Sequence, residues 1–77
     1  MQDHISTHGR LWAIASESTR TGIAQGFITA EELLPSVCHA AHCQRGELHI
    51  LEAHEIARDA VRHELQGLRL RAAGGEA

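Results

Sequence analysis

Apolar residues recur every three or four positions along most of this chain, the spacing that gathers side chains on one face of an α-helix. The first such segment runs from about His8 to Gln25, with Ser6 or Thr7 as a possible N-cap and Gly26 as a stop. Because small residues end its apolar face, another helix is expected to approach closely there. The predicted inner face consists of Leu11, Ile14, Ala15, Ser18 and Gly22.

The second helical segment begins with the clearest local signal in the chain, a capping box at Thr29 and Glu32. The threonine hydroxyl is expected to accept a backbone N–H of the first turn, while the glutamate reaches back to the threonine backbone. This helix is predicted from Ala30 to about Cys43, and Pro35 is expected to kink or restart it, because proline removes a helical hydrogen bond. Gly46 ends the segment. The residues predicted to be buried are Leu33, Leu34, Val37 and Ala41.

The third segment is predicted to be a helix from about Leu51 to Leu68, followed by a flexible tail from Arg71 to Ala77. Weak ion pairs are expected on its polar face, between Glu55 and Arg58 and between Asp59 and Arg62 or His63. Its apolar stripe consists of Ala53, Ile56, Ala57, Ala60, Val61, Leu65 and Leu68.

Three such helices with short connections predict an all-α fold, a compact three-helix bundle forming one domain over residues 1–77, ordered from about residue 8 to 68. Aromatic residues make up only 3% of the chain, and runs typical of strands are missing. A chain this short buries only about 60% of its unfolded surface, which leaves little room for a catalytic cleft. The sequence therefore predicts a protein that is not an enzyme.

Charge and cysteine content restrict the expected class of partner and the expected cellular location. All seven basic residues are arginines, and the net charge of −3 is the wrong sign for a general nucleic-acid binder. No apolar run approaches the ~20 residues needed to span a bilayer, and no signal peptide is visible. Two cysteines without a secretory signal favour reduced thiols and a cytoplasmic protein.

The hexapeptide at residues 38–43 gathers potential metal ligands, namely Cys38, His39, His42 and Cys43. Two or three of them would converge on a helix, and a longer pattern adds His49 and His54, all of types that zinc prefers. The spacing lacks the C-x-x-C knuckle of familiar zinc sites, and a disulfide is disfavoured because five helical residues rise about 7.5 Å. The preferred interpretation is a half-buried cysteine among surface histidines, with no metal and no cofactor.

Nucleophilic catalysis has little support in the same region. Cys38 with His42, or Ser36 with His39, would form a dyad without a third orienting group or a glycine-rich oxyanion loop. No catalytic residue is predicted.

Five side chains are the predicted partner contacts, because tryptophan and arginine contribute most to interface energetics. They are Arg10, Trp12, Arg58, Arg62 and Arg69. Trp12 is equally compatible with a core position. The three arginines of the last helix fall roughly on one face, and their functional interpretation is contact with phosphate or an acidic partner. The favoured interpretation of this face is a solvated one, balanced by Glu55, Asp59 and Glu64.

Two stretches carry a resemblance to a known family, Gly22-Ile23-Ala24-Gln25-Gly26 and Ile28-Thr29-Ala30-Glu31-Glu32-Leu33. With the first helix led by Arg10, they make residues 9–68 resemble the small helical module attached to primase-polymerase and related replication proteins of phages and plasmids. The resemblance implies a mobile-element origin and a helper module that engages a protein or a single-stranded template. Leu11-Trp12-Ala13 stands where that family often has asparagines, and no polymerase domain is present, so priming activity is not implied.

The sequence thus predicts a small, non-enzymatic, phage- or mobile-element-encoded module that acts as an adaptor or inhibitor by binding a larger protein. A nucleic-acid-binding replication accessory is the first alternative, with salt-sensitive binding through Arg58 and Arg62. A zinc-stabilised domain is the second, and it would unfold with a chelator. Homodimerisation is left open, and no membrane partner is expected.

Overall fold

The computed structural model describes residues 7–74, with side chains described through residue 72. Three helices account for most of these residues: α1 is Thr7–Ala24, α2 is Ala30–Cys43 and α3 is Ile50–Gly74. Every pair of helices is in contact, and the described part of the chain contains no strand. The predicted all-α three-helix bundle is confirmed.

Side-chain contacts define how the helices run. His8 meets Glu52 at 3.3 Å, and Arg20 meets Glu64 at 2.9 Å, so α1 and α3 pass each other in the same direction. The rings of His42 and His54 have centroids 6.0 Å apart, which joins the end of α2 to the beginning of α3. The short loops before and after α2 therefore make it antiparallel to both neighbours.

The core consists of one stripe from each helix. Leucine and valine supply its larger side chains, while alanines on α3 allow the helices to approach. The buried apolar residues are Leu11, Ala15, Leu33, Val37, Ala41, Ala53, Ala57, Ala60, Val61 and Leu65. This confirms the predicted stripe of α3, although its Ile56 and Leu68 are only partly buried.

The inner face of α1 is wider than predicted. Ser16 and Thr19 are buried, whereas Ser18 and Gly22, which were expected there, are only half-buried. The reason is that α1 packs against two helices, so residues pointing at α3 are covered as well as those pointing at α2. The Thr19 hydroxyl satisfies its burial by donating to the Ala15 carbonyl at 2.7 Å.

The close approach predicted from small residues occurs at Gly22. A Cβ added to this glycine would lie 2.5 Å from a methyl carbon of Leu33, so the leucine occupies the space that a side chain on α1 would need. We call this contact the Gly22 notch. The chain then turns at Gly26, whose φ of 104° is in the left-handed region that suits glycine.

The capping box of α2 is confirmed with one difference. The Thr29 hydroxyl oxygen accepts the Glu32 backbone N–H at 3.3 Å, as predicted. The Glu32 carboxylate accepts the Ile28 backbone N–H at 3.2 Å and the Thr29 hydroxyl at 3.1 Å, rather than the Thr29 backbone N–H. The helix then runs unbroken through Pro35 to Cys43, so the expected restart at the proline does not occur.

The third helix is longer than predicted. It begins at Ile50 and continues to Gly74, past the expected end near Leu68. Residues 71–74, expected to belong to a flexible tail, are helical, and arginine and alanine, which make up most of them, are strong helix formers. Residues 75–77 of that tail, and the possible cap at Ser6, lie outside the described residues.

Candidate binding groove

An open groove runs along the surface between α2 and α3. Residues spaced three or four apart line it on both helices, because this spacing keeps side chains on one helical face. Glu31, Leu34, Pro35 and Cys38 come from α2, and His54 and Arg58 come from α3. We call this feature the α2–α3 groove; its volume is about 360 Å³.

The floor of the α2–α3 groove is apolar. Leu34 and Cys38 are half-buried against the core cluster, and Pro35 is exposed at the edge. Burial raises the pKa of the Cys38 thiol, while the nearby Arg58 guanidinium acts in the opposite direction by attracting the thiolate. The thiol is therefore protonated near neutral pH and behaves as a small apolar group, not as a nucleophile.

Charged groups of the α2–α3 groove have no ionic partner within the described part of the chain. Arg58 is exposed and has no carboxylate within 4.0 Å, and Glu31 has no basic group within that distance. The positive group lies on α3 and the negative group on α2, so the two sides of the groove differ in charge.

Pro35 adds a backbone group to the α2 side. Since proline has no N–H, the Glu31 carbonyl lacks the hydrogen bond that residue 35 would otherwise donate within the helix. An interior proline is unfavourable by about 3 kcal/mol relative to alanine. Pro35 is exposed, so core packing does not offset this cost.

The five predicted partner contacts lie on two helices, α1 and α3. Arg58 lines the α2–α3 groove, and Arg62 follows one turn later on α3, where it donates to Asp59 at 3.2 Å. Arg69 is exposed further along the same helix. Trp12 and Arg10 lie elsewhere, on α1.

Trp12 is neither fully buried nor free. It is 37% exposed, and its ring packs against that of His63 with centroids 5.6 Å apart and planes tilted by 60°. Arg10 is exposed, and its guanidinium lies 3.5 Å from where a Cβ on Gly46 would be, next to the loop between α2 and α3.

The potential metal ligands separate into pairs. Cys43 and His39 are 3.5 Å apart on the exposed side of α2, whereas His42 faces His54 across the helix interface. His49 accepts the Leu51 backbone N–H at 3.1 Å and so caps the start of α3. Among residues 7–74, no group of three or more histidine, cysteine or acidic side chains is placed to share a metal ion, and both cysteines are free thiols.

Several groove residues were missed or misplaced by sequence reasoning. Leu34 was predicted to be buried with Leu33, but it is only half-buried because it points towards the opening between α2 and α3. His54 was predicted only as a potential metal ligand, and no binding role was predicted for Glu31. The one available signal was Pro35, because an interior helix proline is costly wherever it serves no capping role.

A smaller pocket lies between α1 and α2, beside the Gly22 notch. Its volume is about 180 Å³, and its lining includes Ser18, Thr21, Phe27 and Ser36. Leu33 lies against Gly22 here, and this pocket is smaller than the α2–α3 groove.

Searches for similar proteins returned no matching family model, curated protein or solved structure. The resemblance to the replication-protein module therefore stays a prediction. Within residues 7–74, no helix is both long and apolar enough to cross a membrane.

Proposed function

We propose that this chain is a small non-enzymatic module that binds a larger partner protein through the α2–α3 groove. The observation that supports this most is the groove itself, an apolar floor open to solvent with unpaired charged groups on both sides. Apolar area provides most of the driving force for association, and charged groups around it select the partner. In this proposal the chain occupies a surface of the larger partner, as an adaptor or an inhibitor does.

A protein partner is favoured over nucleic acid by the charge pattern of α3. Glu55 and Asp59 alternate with Arg58 and Arg62 along this part of the helix, and Asp59 already pairs with Arg62. Binding to nucleic acid depends on neutralising several phosphates with basic side chains, and acids placed between those side chains oppose it. The net charge of −3 acts in the same direction.

The positions of the predicted contact residues also support the groove as the interface. Arg58 lies directly in it, and Arg62 lies one turn further along the same helix. Trp12, by contrast, already makes a ring contact with His63. We therefore place Arg58 at the centre of the interface and treat Trp12 and Arg10 as outside it.

The proposal is tested by affinity capture from host lysate treated with nuclease, followed by mass spectrometry. Wild-type protein is compared with Arg58→Glu in the groove and with Arg10→Glu, which makes the same charge change on another surface. We expect one stoichiometric protein partner that is retained by the wild type and by Arg10→Glu and lost with Arg58→Glu. Absence of any protein partner would overturn the proposal, and nucleic acid co-purifying without nuclease would favour the replication-accessory alternative.

A further inference from the structure

We infer that the α2–α3 groove accepts an amphipathic α-helix of the partner protein, with carboxylates facing α3 and a basic or hydrogen-bond-donating residue facing Glu31 on α2. This inference rests on the proposed function, since it names the partner segment that the same groove would bind.

The shape of the groove favours a helix. Two antiparallel helices form its walls, and Leu34 and Cys38 lie one helical turn apart along its floor. The groove between two packed helices matches the ridge of apolar side chains that a third helix presents at every third or fourth residue. The partner helix would therefore complete a local three-helix contact on the open side of α2.

The α3 wall is complementary to carboxylates. Arg58 projects from it without an ionic partner in the described chain, and Arg62 and Arg69 follow on the exposed part of the same helix. Asp59 engages Arg62, so Arg58 is the arginine of the groove lining that has no ionic partner within the described residues. Arg58 and Cys38 line the same groove, and against the larger effect of burial, which raises the pKa of that thiol, the guanidinium lowers it. A partner carboxylate there would gain a charge-assisted hydrogen bond.

The α2 wall is instead complementary to basic, hydrogen-bond-donating groups. The Glu31 side chain has no basic partner in the described chain, and its backbone carbonyl lacks the helical donor that Pro35 cannot provide. Two acceptors on one residue are complementary to lysine or arginine on the partner. The exposed proline, unfavourable for α2 itself, thus acquires a role as the feature that makes this carbonyl available.

A second copy of this chain is a less suitable occupant. In the described residues, five exposed large apolar side chains lie near the ends of helices or in the first loop, at Phe27, Ile28, Ile50, Leu51 and Leu70. Trp12, within α1, is also exposed, but it is a single residue and its ring packs against His63. These side chains do not form an apolar stripe at helical spacing that would fill the groove of another copy.

The test selects peptides from a randomised, displayed library by their binding to the immobilised 77-residue chain. The peptides have roughly 18 residues, which is long enough to form helices. We expect enriched sequences to have an apolar stripe, glutamate or aspartate along one flank and lysine or arginine on the other. Arg58→Glu should weaken the selected peptides by roughly tenfold, as expected for loss of a close charge pair. Arg10→Glu, the matched control, should leave their affinity unchanged.

A charge-swapped peptide, with lysine in place of the carboxylates on the α3-facing flank, should regain affinity for Arg58→Glu. Enrichment of uncharged or non-helical peptides, or equal effects of Arg58→Glu and Arg10→Glu, would overturn the inference. Circular dichroism of each variant confirms that the bundle is folded. Lysate capture could give a protein partner whose binding is lost with Arg58→Glu, while no helical peptide binds the groove. In that case the proposed function stands and only the helical occupant is wrong.

Discussion

The two sides of α2 differ in how completely they are covered. Towards α1, Leu33 is 2% exposed and fills the Gly22 notch, where not even a Cβ fits without displacing it. Towards α3, the adjacent Leu34 is half-buried at the floor of an open groove, next to the exposed Pro35. Two neighbouring leucines of one helix therefore have different surroundings.

The difference shows where this small bundle is fixed by packing and where its surface is available. Close-packed contacts such as the Gly22 notch are sensitive to changes of a single methyl group, because interiors are as dense as organic crystals. The α2–α3 groove is open, and it contains a helix-breaking residue and unpaired charges. Features that reduce stability without improving packing are typical of surfaces with a function.

The largest expected effect is a loss of stability on shortening Leu33, which should exceed the loss on shortening Leu34. Leu33→Ala should lower the free energy of unfolding by about 3 kcal/mol, because it removes a buried side chain and leaves a cavity. Leu34→Ala should cost about 1 kcal/mol, because solvent already reaches that site. Urea denaturation followed by circular dichroism measures both, and equal losses would contradict the comparison.

A smaller effect is expected at the Gly22 notch. Gly22→Val should destabilise the bundle by about 2 kcal/mol, because the added atoms overlap Leu33. In a Leu33→Ala background the same change should cost less, since the space is vacated. The measurement is the coupling energy from this double-mutant cycle. If the two changes in unfolding free energy simply add, a side chain at position 22 does not contact Leu33.

Pro35→Ala should raise the free energy of unfolding, unlike the substitutions above. It restores the missing N–H to the Glu31 carbonyl within a continuous helix, so we expect stabilisation of about 2 kcal/mol by thermal or urea unfolding. The same variant should bind selected peptides more weakly, because the carbonyl is no longer available. Stronger binding together with higher stability would remove the proposed role of Pro35.

The smallest effect on stability is expected for Arg58→Ala, which should change the unfolding free energy by less than about 0.5 kcal/mol because the residue is exposed. It should nevertheless raise the pKa of Cys38 further, because the cation that favours the thiolate is lost while burial continues to disfavour it. At a fixed alkaline pH the alkylation rate should therefore fall. The measurement is made in a Cys43→Ser background, with Arg62→Ala as control, and an unchanged pH profile would show that Arg58 does not reach the groove.

Much of the fold was predictable because it depends on local chemistry. The bounds of α2 follow from the capping box at Thr29 and the glycine-ended loop, and the stripe of α3 follows from helical periodicity. Periodicity does not distinguish neighbouring positions at the edge of a buried face, so it placed Leu34 in the core and missed the burial of Thr19.

The candidate groove was less predictable than the helices. Its lining combines residues from two helices, and their relative rotation depends on packing in three dimensions. Arg58 was among the predicted contacts, but its proximity to Cys38 and His54 follows only from the way α2 and α3 meet. Trp12 was predicted from residue type alone, and residue type does not indicate that His63 lies against its ring.

The most direct test of the claim that α2 binds on its α3 side is an NMR titration of the isotope-labelled protein with a selected acidic amphipathic peptide. We expect the largest backbone amide shifts at Leu34, Cys38 and Arg58, with little change at Gly22 and Trp12. Shifts centred on Trp12 and His63, with the groove unaffected, would contradict the account and move the binding surface to the contact between α1 and α3.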